Sequence, residues 1–234
     1  VDISIDDLRK KGFNAFYIAI GAQKGRKLGL EGEDVEQVIS GVEFLRKINL
    51  GEDTGVKGNV VVIGGGNVAI DVARSSARLK DVAEVNMYCL EEMENMPAHN
   101  EEIEEALEEE VKINNSWGPT RIIIEDGKLK GVEFKKCIST FDEDGRFNPK
   151  FDESSKEVVP CDYLLLSVGQ QFDYKTLLKG EGIKLTERNT IKVNDITLQS
   201  SKEDIFAGGD VASGPRLAID AIAAGKEAAV SIHR

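Results

Sequence analysis

Val60-Val61-Val62-Ile63 runs without a spacer into Gly64-Gly65-Gly66, and Asn67-Val68-Ala69-Ile70-Asp71-Val72-Ala73 follows at once. This is the stretch whose residue types and spacing carry chemistry, and the chemistry is the capture of a phosphate anion. Four apolar, mostly β-branched residues predict a strand buried on both faces of a parallel sheet. Ala69, Ile70, Val72, Ala73 and Ala77 are spaced to lay one side of a helix on that sheet. Strand, glycine turn and helix, in the form Gly64-x-Gly66-x-x-Ala69, match the dinucleotide-binding fingerprint. Gly64 permits the tight turn, Gly66 lets the backbone approach a pyrophosphate, and Ala69 lets helix and strand pack closely. The free N–H groups and the positive dipole end of the helix then face the anion. Gly64, Gly65, Gly66, Asn67, Val68 and Ala69 are therefore the expected nucleotide-binding residues. A glycine triplet alone could be an ordinary strand-to-helix turn; the flanking strand and helix decide for nucleotide.

The other conspicuous residues point away from chemistry. Cys89, Cys137 and Cys161 lack the paired spacing of a redox-active disulfide and read as structural thiols. His99 and His233 are solitary, offering neither a metal pair nor a triad. Asp142-x-Asp144-Gly145 faintly suggests a calcium loop, but its glycine comes too early for that motif. The run Glu101 to Glu110 reads as a solvated face behind the stripe Ile103, Ala106, Leu107 and Val111. Trp117 reads as a packing anchor. No catalytic or metal-ligating side chain is expected.

The elements that must position the glycine turn can be read along the chain. Ile5 to Lys11 is a short helix or turn, and Phe13 to Ile20 a strand closing on Gly21-Ala22. Val35, Val38, Ile39, Val42, Leu45 and Ile48 form a helical stripe, so Val35 to Leu50 is expected as one helix. Gly51 to Gly58 is polar and glycine-punctuated, a candidate linker between domains. Glu84 to Leu90 is the second strand of the nucleotide unit, and Asn100 is the expected cap of an acidic helix. From Trp117 the period changes to two. Arg121 to Glu125, the turn Asp126-Gly127 and Leu129 to Cys137 make a hairpin, followed by a polar excursion from Phe141 to Lys156. Tyr163 to Val168 is a buried strand ending on Gly169, Ile191 to Val193 a short extended piece, and Ile205 to Ala207 a strand running into Gly208-Gly209-Asp210. Pro215 opens the last helix, with Leu217, Ala221, Ile222, Ala224, Ala228, Ala229 and Ile232 expected to face inward.

Composition bounds what such a molecule does. The chain has 234 residues with 30 Lys+Arg against 42 Asp+Glu, a formal net charge of −12. That charge argues against nucleic acid and anionic membrane surfaces as partners. No apolar run approaches the ~20 residues that cross a bilayer, and an odd, scattered set of cysteines suits a reducing compartment, so the expected location is the cytoplasm. The chain opens on Val1 rather than Met and reads as a piece of a longer polypeptide.

Taken in order, the strand closing on Gly21-Ala22, the turn Gly64-Gly65-Gly66, Gly169, and Ile205-Phe206-Ala207-Gly208-Gly209-Asp210 resemble the two-dinucleotide-binding flavoprotein reductases. Tyr88, the triplet Met96-Pro97-Ala98, and Gly208-Gly209-Asp210-Val211 with Gly214-Pro215 are similar to the glutamate synthase small-subunit branch of that family. The resemblance covers essentially the whole chain. It implies an α/β fold in which a Rossmann-like NAD(P)-binding domain with a β-meander is inserted into an FAD-binding α/β domain. Residues 1–54 and 169–234 would then be FAD-domain segments and 55–168 the NAD(P)-binding domain. The family's first FAD fingerprint, a separate GxGxxG, is absent from the sequence, so the FAD domain is incomplete.

By the same resemblance Gly169, Gly209 and Asp210 are cofactor-binding positions, with Asp210 on the ribityl–phosphate side of a flavin. Two function classes stay open. One is an oxidoreductase unit passing hydride from NAD(P)H to FAD and on to an iron–sulfur domain or subunit. The other is a nucleotide-binding module that is inactive as this piece. For the nucleotide, the acidic residue that takes the ribose 2′-OH is expected after the second strand, at Glu91, or at Glu92 if the strand ends one residue later. NADPH-using relatives place a pair of arginines after the tyrosine, where this chain has Cys89 and Leu90, so NADH is the expected preference. Arg74 and Arg78, on the preceding helix, are the nearest alternatives for a 2′-phosphate.

Overall fold

The computed structural model describes residues 3–174 and 177–234. In chain order, α1 (Ile5–Lys10) and β1 (Phe16–Ile18) come first. The central part follows with β2 (Val38–Ser40), α2 (Gly41–Leu50), β3 (Gly58–Ile63), α3 (Asn67–Ala77), β4 (Val82–Cys89), α4 (Asn100–Glu108) and β5 (Lys112–Asn115). Three long strands, β6 (Trp117–Glu125), β7 (Lys128–Phe141) and β8 (Phe147–Pro160), precede β9 (Tyr163–Leu166). The chain closes with β10 (Ile205–Ala207), α5 (Asp210–Ser213) and α6 (Ala218–His233).

Two compact units emerge, one of Gly25–Gly169 and one made by the chain up to Lys24 together with Gln170–Arg234. The boundaries expected from the sequence lay after residues 54 and 168; in the structure residues 25–54 pack with the central part. The reason is β2. Val38, Ile39 and Ser40 pair in parallel with Leu164, Leu165 and Leu166, adding a strand to the nucleotide sheet, and α2 brings Phe44, fully buried, into the same core. The helix expected over Val35 to Leu50 is thus a strand followed by a helix, and Gly51 is the left-handed cap of α2 (φ 68°), inside the central unit rather than between domains.

In the central unit the parallel sheet has the order β2-β9-β3-β4-β5. Val60, Val61, Val62 and Ile63 are each no more than 3% exposed, as a strand covered on both sides requires. Alternate residues serve opposite faces. Val60, Val62, Val85, Met87 and Leu165 meet Phe44, Ile70, Val72 and Ile103 of the helices. Val61, Ile63, Tyr88, Leu164 and Leu166 meet Ile122, Val132 and Phe134 of the meander β6-β7-β8, where Tyr88 and Phe134 stack at 4.1 Å between ring centroids. The turn between β6 and β7 is the expected one: Asp126 and Gly127 both take positive φ, 50° and 72°. The polar excursion turns at Asp142 to Arg146 and is otherwise extended. Phe147–Pro160 is a strand paired along β7 from Gly131 to Phe141.

In the other unit, β1 and β10 pair in parallel and α1 is fixed by a capping box between Ser4 and Asp7. Arg9 ties α1 to Glu181 at 2.8 Å and to Asp204 at 2.7 Å. The last helix begins at Ala218 rather than at Pro215, and its expected inward face is not buried: Leu217, Ile222 and Ile232 are exposed and only Ala228 is covered. Its approach to β10 runs instead through small residues, with Ala221 against Gly209 and Ala224 against Gly208.

Candidate functional site

The carboxyl ends of β3, β4 and β9 meet at the glycine turn. Sheet order places this at the switch point, where β3 is followed by β4 on one side while β9 lies on the other, and ligands of open α/β sheets bind in that crevice. Each glycine of the turn has its own cause. Gly64 takes φ +145°, and a Cβ there would meet the carbonyl oxygen of Ser167 and come within 3.1 Å of the Ala69 Cβ. The turn is therefore this tight because β9 and α3 press on it, as the small residue at Ala69 anticipated. At Gly66 a Cβ would meet nothing within 4 Å, so its Cα faces open space. Gly66 is also the N-cap of α3 and brings no side chain to cap the helix. The first-turn N–H groups of Asn67 and Val68 have neither an intrahelical partner nor a side-chain cap, as a phosphate site needs.

The turn is braced from a second direction. Ala98 N–H donates to the Gly65 carbonyl at 3.1 Å, and His99 N–H donates to Asn67 Oδ1 at 2.9 Å. Asn67 is thus a brace through its side chain, and the segment Met96-Pro97-Ala98-His99 latches the turn. The cap of α4 is His99, one residue before the expected Asn100, with Glu101 and Glu102 in the first turn as its dipole favours. No sequence rule flagged this latch; the triplet stood out only through the family resemblance.

Glu91 reaches the same place. A Cβ on Gly65 would lie 2.7 Å from Glu91 Oε2 and 3.1 Å from the Cys89 Cβ, so the carboxylate rests on the middle of the phosphate turn. β4 ends at Cys89, which makes Glu91, not Glu92, the residue at the turn. Leu90 points elsewhere: its Cδ2 would lie 2.7 Å from a Cβ on Gly118 of the meander. Arg74 on α3 and Arg78 at its C-cap are engaged. Arg74 pairs with Glu105 and, at 2.7 Å, with Glu109, and Arg78 pairs with Glu109 at 2.6 Å. Gly169 closes the central unit two residues past Ser167, at φ +112°, its carbonyl accepting Arg26 N–H at 3.0 Å.

Gly209 and Asp210 lie in the other unit. Gly209 takes φ 69°, and Asp210 Oδ1 accepts Arg216 N–H at 3.3 Å. The cysteines are free and buried. Burial first, and the nearby Glu91 charge second, push the Cys89 thiol up to about 12, and burial does the same for Cys161. They are protonated thiols, not nucleophiles. Among the described residues no group of His, Cys, Asp and Glu is placed to hold a metal, and no helix is long and apolar enough to cross a membrane.

A family model described as pyridine nucleotide-disulphide oxidoreductase matches residues 5–225. The chain is 36% identical over 238 residues to the NADP(+)-dependent formate dehydrogenase subunit beta of Moorella thermoacetica, covering all of this chain and 33% of that protein. It is 30% identical over 247 residues to the glutamate synthase [NADPH] small chain of Escherichia coli, covering 99% of this chain and 52% of the relative. The chain thus spans about a third to a half of these relatives' length. In fold it is similar to the crystal structure of T. acidophilum thioredoxin reductase, with a TM-score of 0.69, 25% identity, and coverage of 93% of this chain and 64% of that one. The resemblance seen in the motifs therefore holds, including its glutamate synthase small-subunit branch.

Proposed function

The chain belongs to the pyridine nucleotide-disulphide oxidoreductase family, and on that premise we propose that it is the nicotinamide-nucleotide-binding part of an NAD(P)H-dependent flavoprotein oxidoreductase that prefers NADH. The residues of the central unit fit the nucleotide: an open Cα at Gly66, an uncapped helix start, and a turn braced by Ala98 and Asn67. The pyrophosphate would lie on Gly65, Gly66, Asn67 and Val68. A bound nicotinamide supplies the hydride, and the protein's share is binding, orientation and exclusion of water. No acid–base side chain is required for that share.

The single observation that carries the preference is the Glu91 carboxylate resting on Gly65. A carboxylate there accepts hydrogen bonds from ribose hydroxyls and repels a 2′-phosphate. Leu90 is turned into the meander and Arg74 and Arg78 are held by Glu105 and Glu109, so no cation stands ready for the phosphate. The relatives carry NADP(+) or NADPH in their names, so the preference proposed for this chain would be a departure from them. Titration of both nucleotides at low salt should show NADH tighter by about tenfold or more, the worth of one charge-assisted pair. Equal affinities, or tighter NADPH, would sink the assignment.

The flavin site is only partly present. Gly209 and Asp210 would face the flavin, but the sequence holds one fingerprint, and on this reading the nicotinamide nucleotide would take it. In the full-length protein FAD would be the hydride acceptor and an iron–sulfur domain or subunit the next carrier. The lone fingerprint favours a second reading for this 234-residue chain by itself: a nucleotide-binding module without turnover. Flavin absorbance in the purified protein supports the first reading, and a colourless protein that binds NADH supports the second.

A further inference from the structure

Glu91 sits on a turn that is held from behind. β5 pairs with β4 so that Asn115 stands opposite Cys89, and the chain beyond β5 folds over the end of β4. The Glu91 carbonyl oxygen accepts Ser116 N–H at 3.0 Å and Asn115 Nδ2 at 3.1 Å, with the Cys89 thiol at 3.6 Å. The same Asn115 Nδ2 lies 3.2 Å from Cys89 Sγ. Ser116 takes φ +62°, a left-handed conformation unusual for serine, and its own carbonyl accepts Cys137 N–H from β7 at 2.8 Å. Strain of this kind persists only where the surroundings fix it. The peptide on one side of Glu91 is thus pinned to β5 and the meander, while its side chain lies on the phosphate turn.

Two strong N–H donors arriving at one carbonyl from different groups fix the peptide plane, and a fixed plane fixes the direction in which the side chain leaves the backbone. Ser116 N–H with only the weak thiol donor of Cys89 beside it would leave that plane freer to tilt. We propose that Asn115 is a positioning residue for nucleotide selection: by donating to the Glu91 carbonyl it holds the Glu91 carboxylate against Gly65. Asn115 reaches the turn through Glu91 and, by its contact with the Cys89 thiol, through Cys89 as well, and this role rests on the reading of Glu91 given above.

The test is calorimetric titration of NADH and NADPH, at low salt, into the 234-residue chain and its Asn115→Leu, Glu91→Gln and doubly substituted variants. Asn115→Leu keeps the shape and removes the donor. Affinity for NADH should fall by about fivefold, the worth of one hydrogen bond, while affinity for NADPH stays or rises, so that the ratio contracts. The double variant should match Glu91→Gln alone, because Asn115 acts through that carboxylate. Asn115→Gln, which retains a donor, should recover part of the ratio. Equal loss for both nucleotides, or an effect that adds to that of Glu91→Gln, overturns the proposal, since a merely structural role would give one or the other. An unchanged ratio in Glu91→Gln overturns the reading of Glu91 itself, and the role of Asn115 with it. Should Asn115→Leu fail to fold, Asn115→Ala removes the same donor without adding a charge, with the same contraction expected.

Discussion

Three consecutive glycines occupy one turn for different reasons, and substitution separates them. At Gly64 the left-handed backbone and the Ser167 carbonyl leave no room, so a side chain there damages the fold itself. At Gly66 a side chain meets nothing of the protein. Gly66→Val is therefore expected to keep the native unfolding midpoint and to lose nicotinamide-nucleotide binding, because the new side chain stands where the pyrophosphate must approach the backbone. Calorimetry checks this against the parent chain; unchanged affinity would mean that the phosphate lies elsewhere. Glu91 shows the reverse logic. Its carboxylate is an addition to the turn rather than a missing atom, and on the function proposed above it would discriminate by charge where Gly66 would discriminate by space.

At the scale of elements, α3 and α4 are joined by a carboxylate shared between two guanidinium groups. Glu109 Oε1 accepts Arg74 Nε at 3.0 Å and Arg74 Nη2 at 2.7 Å, and its two oxygens take both forks of Arg78. Arg78 first and Arg74 second hold the Glu109 carboxyl below the usual carboxylate range. A depressed native value means that the pair stabilises the fold above the unfolded-state pKa and ceases to do so as pH falls through the native one. Glu109→Gln should thus cost about 1 kcal/mol near neutral pH, discounted for solvent at Arg78, and almost nothing once the pH has fallen below the native value of Glu109. Urea titrations at both pH values check it; an equal cost at both would show that charge is not the source. The elements that could be read in the sequence are those whose pattern is self-sufficient. Val60 to Ala73 combines an apolar run, glycines and a helical stripe, and Asp126-Gly127 can hardly be anything but a hairpin turn. Val35 to Leu50 misled because Val38 and Ile39 fit a helical stripe and a short edge strand equally well, and only pairing with Leu164 and Leu165 decides. Phe147 to Pro160 was hidden for a related reason: its charged, half-exposed strand is held by its partner β7, not by its own hydrophobicity. In the candidate site, the meeting of the glycine turn Gly64 to Ala69 with Glu91 could be expected from type and spacing. The contacts of Ser167, Ala98 and Asn115 could not, since each is made to or from backbone across the sheet or along its edge.

At the scale of the whole molecule, one unit holds a candidate nucleotide site that is nearly self-contained, and the other holds few of the residues expected to face a cofactor. In Gly25–Gly169 the sheet, the braced turn and Glu91 come from one continuous stretch of chain. In the other unit a two-stranded parallel pair carries Gly209 and Asp210, and α6 leaves Ile219, Ile222 and Val230 more than half exposed. A flavin is held largely by its pyrophosphate on a second strand, glycine turn and helix, and the sequence contains no second fingerprint to supply them. Asp210 meanwhile already accepts a backbone N–H from Arg216. The purified 234-residue chain should therefore carry little or no FAD while still binding NADH. The check is to denature the protein, separate the supernatant and measure flavin fluorescence against protein concentration. Flavin released at one equivalent per chain would refute the expectation, and would mean that Gly209, Asp210 and their surroundings hold the cofactor without the fingerprint. A ratio near zero, with NADH still bound at the glycine turn, is the outcome that the distribution of residues between the two units requires.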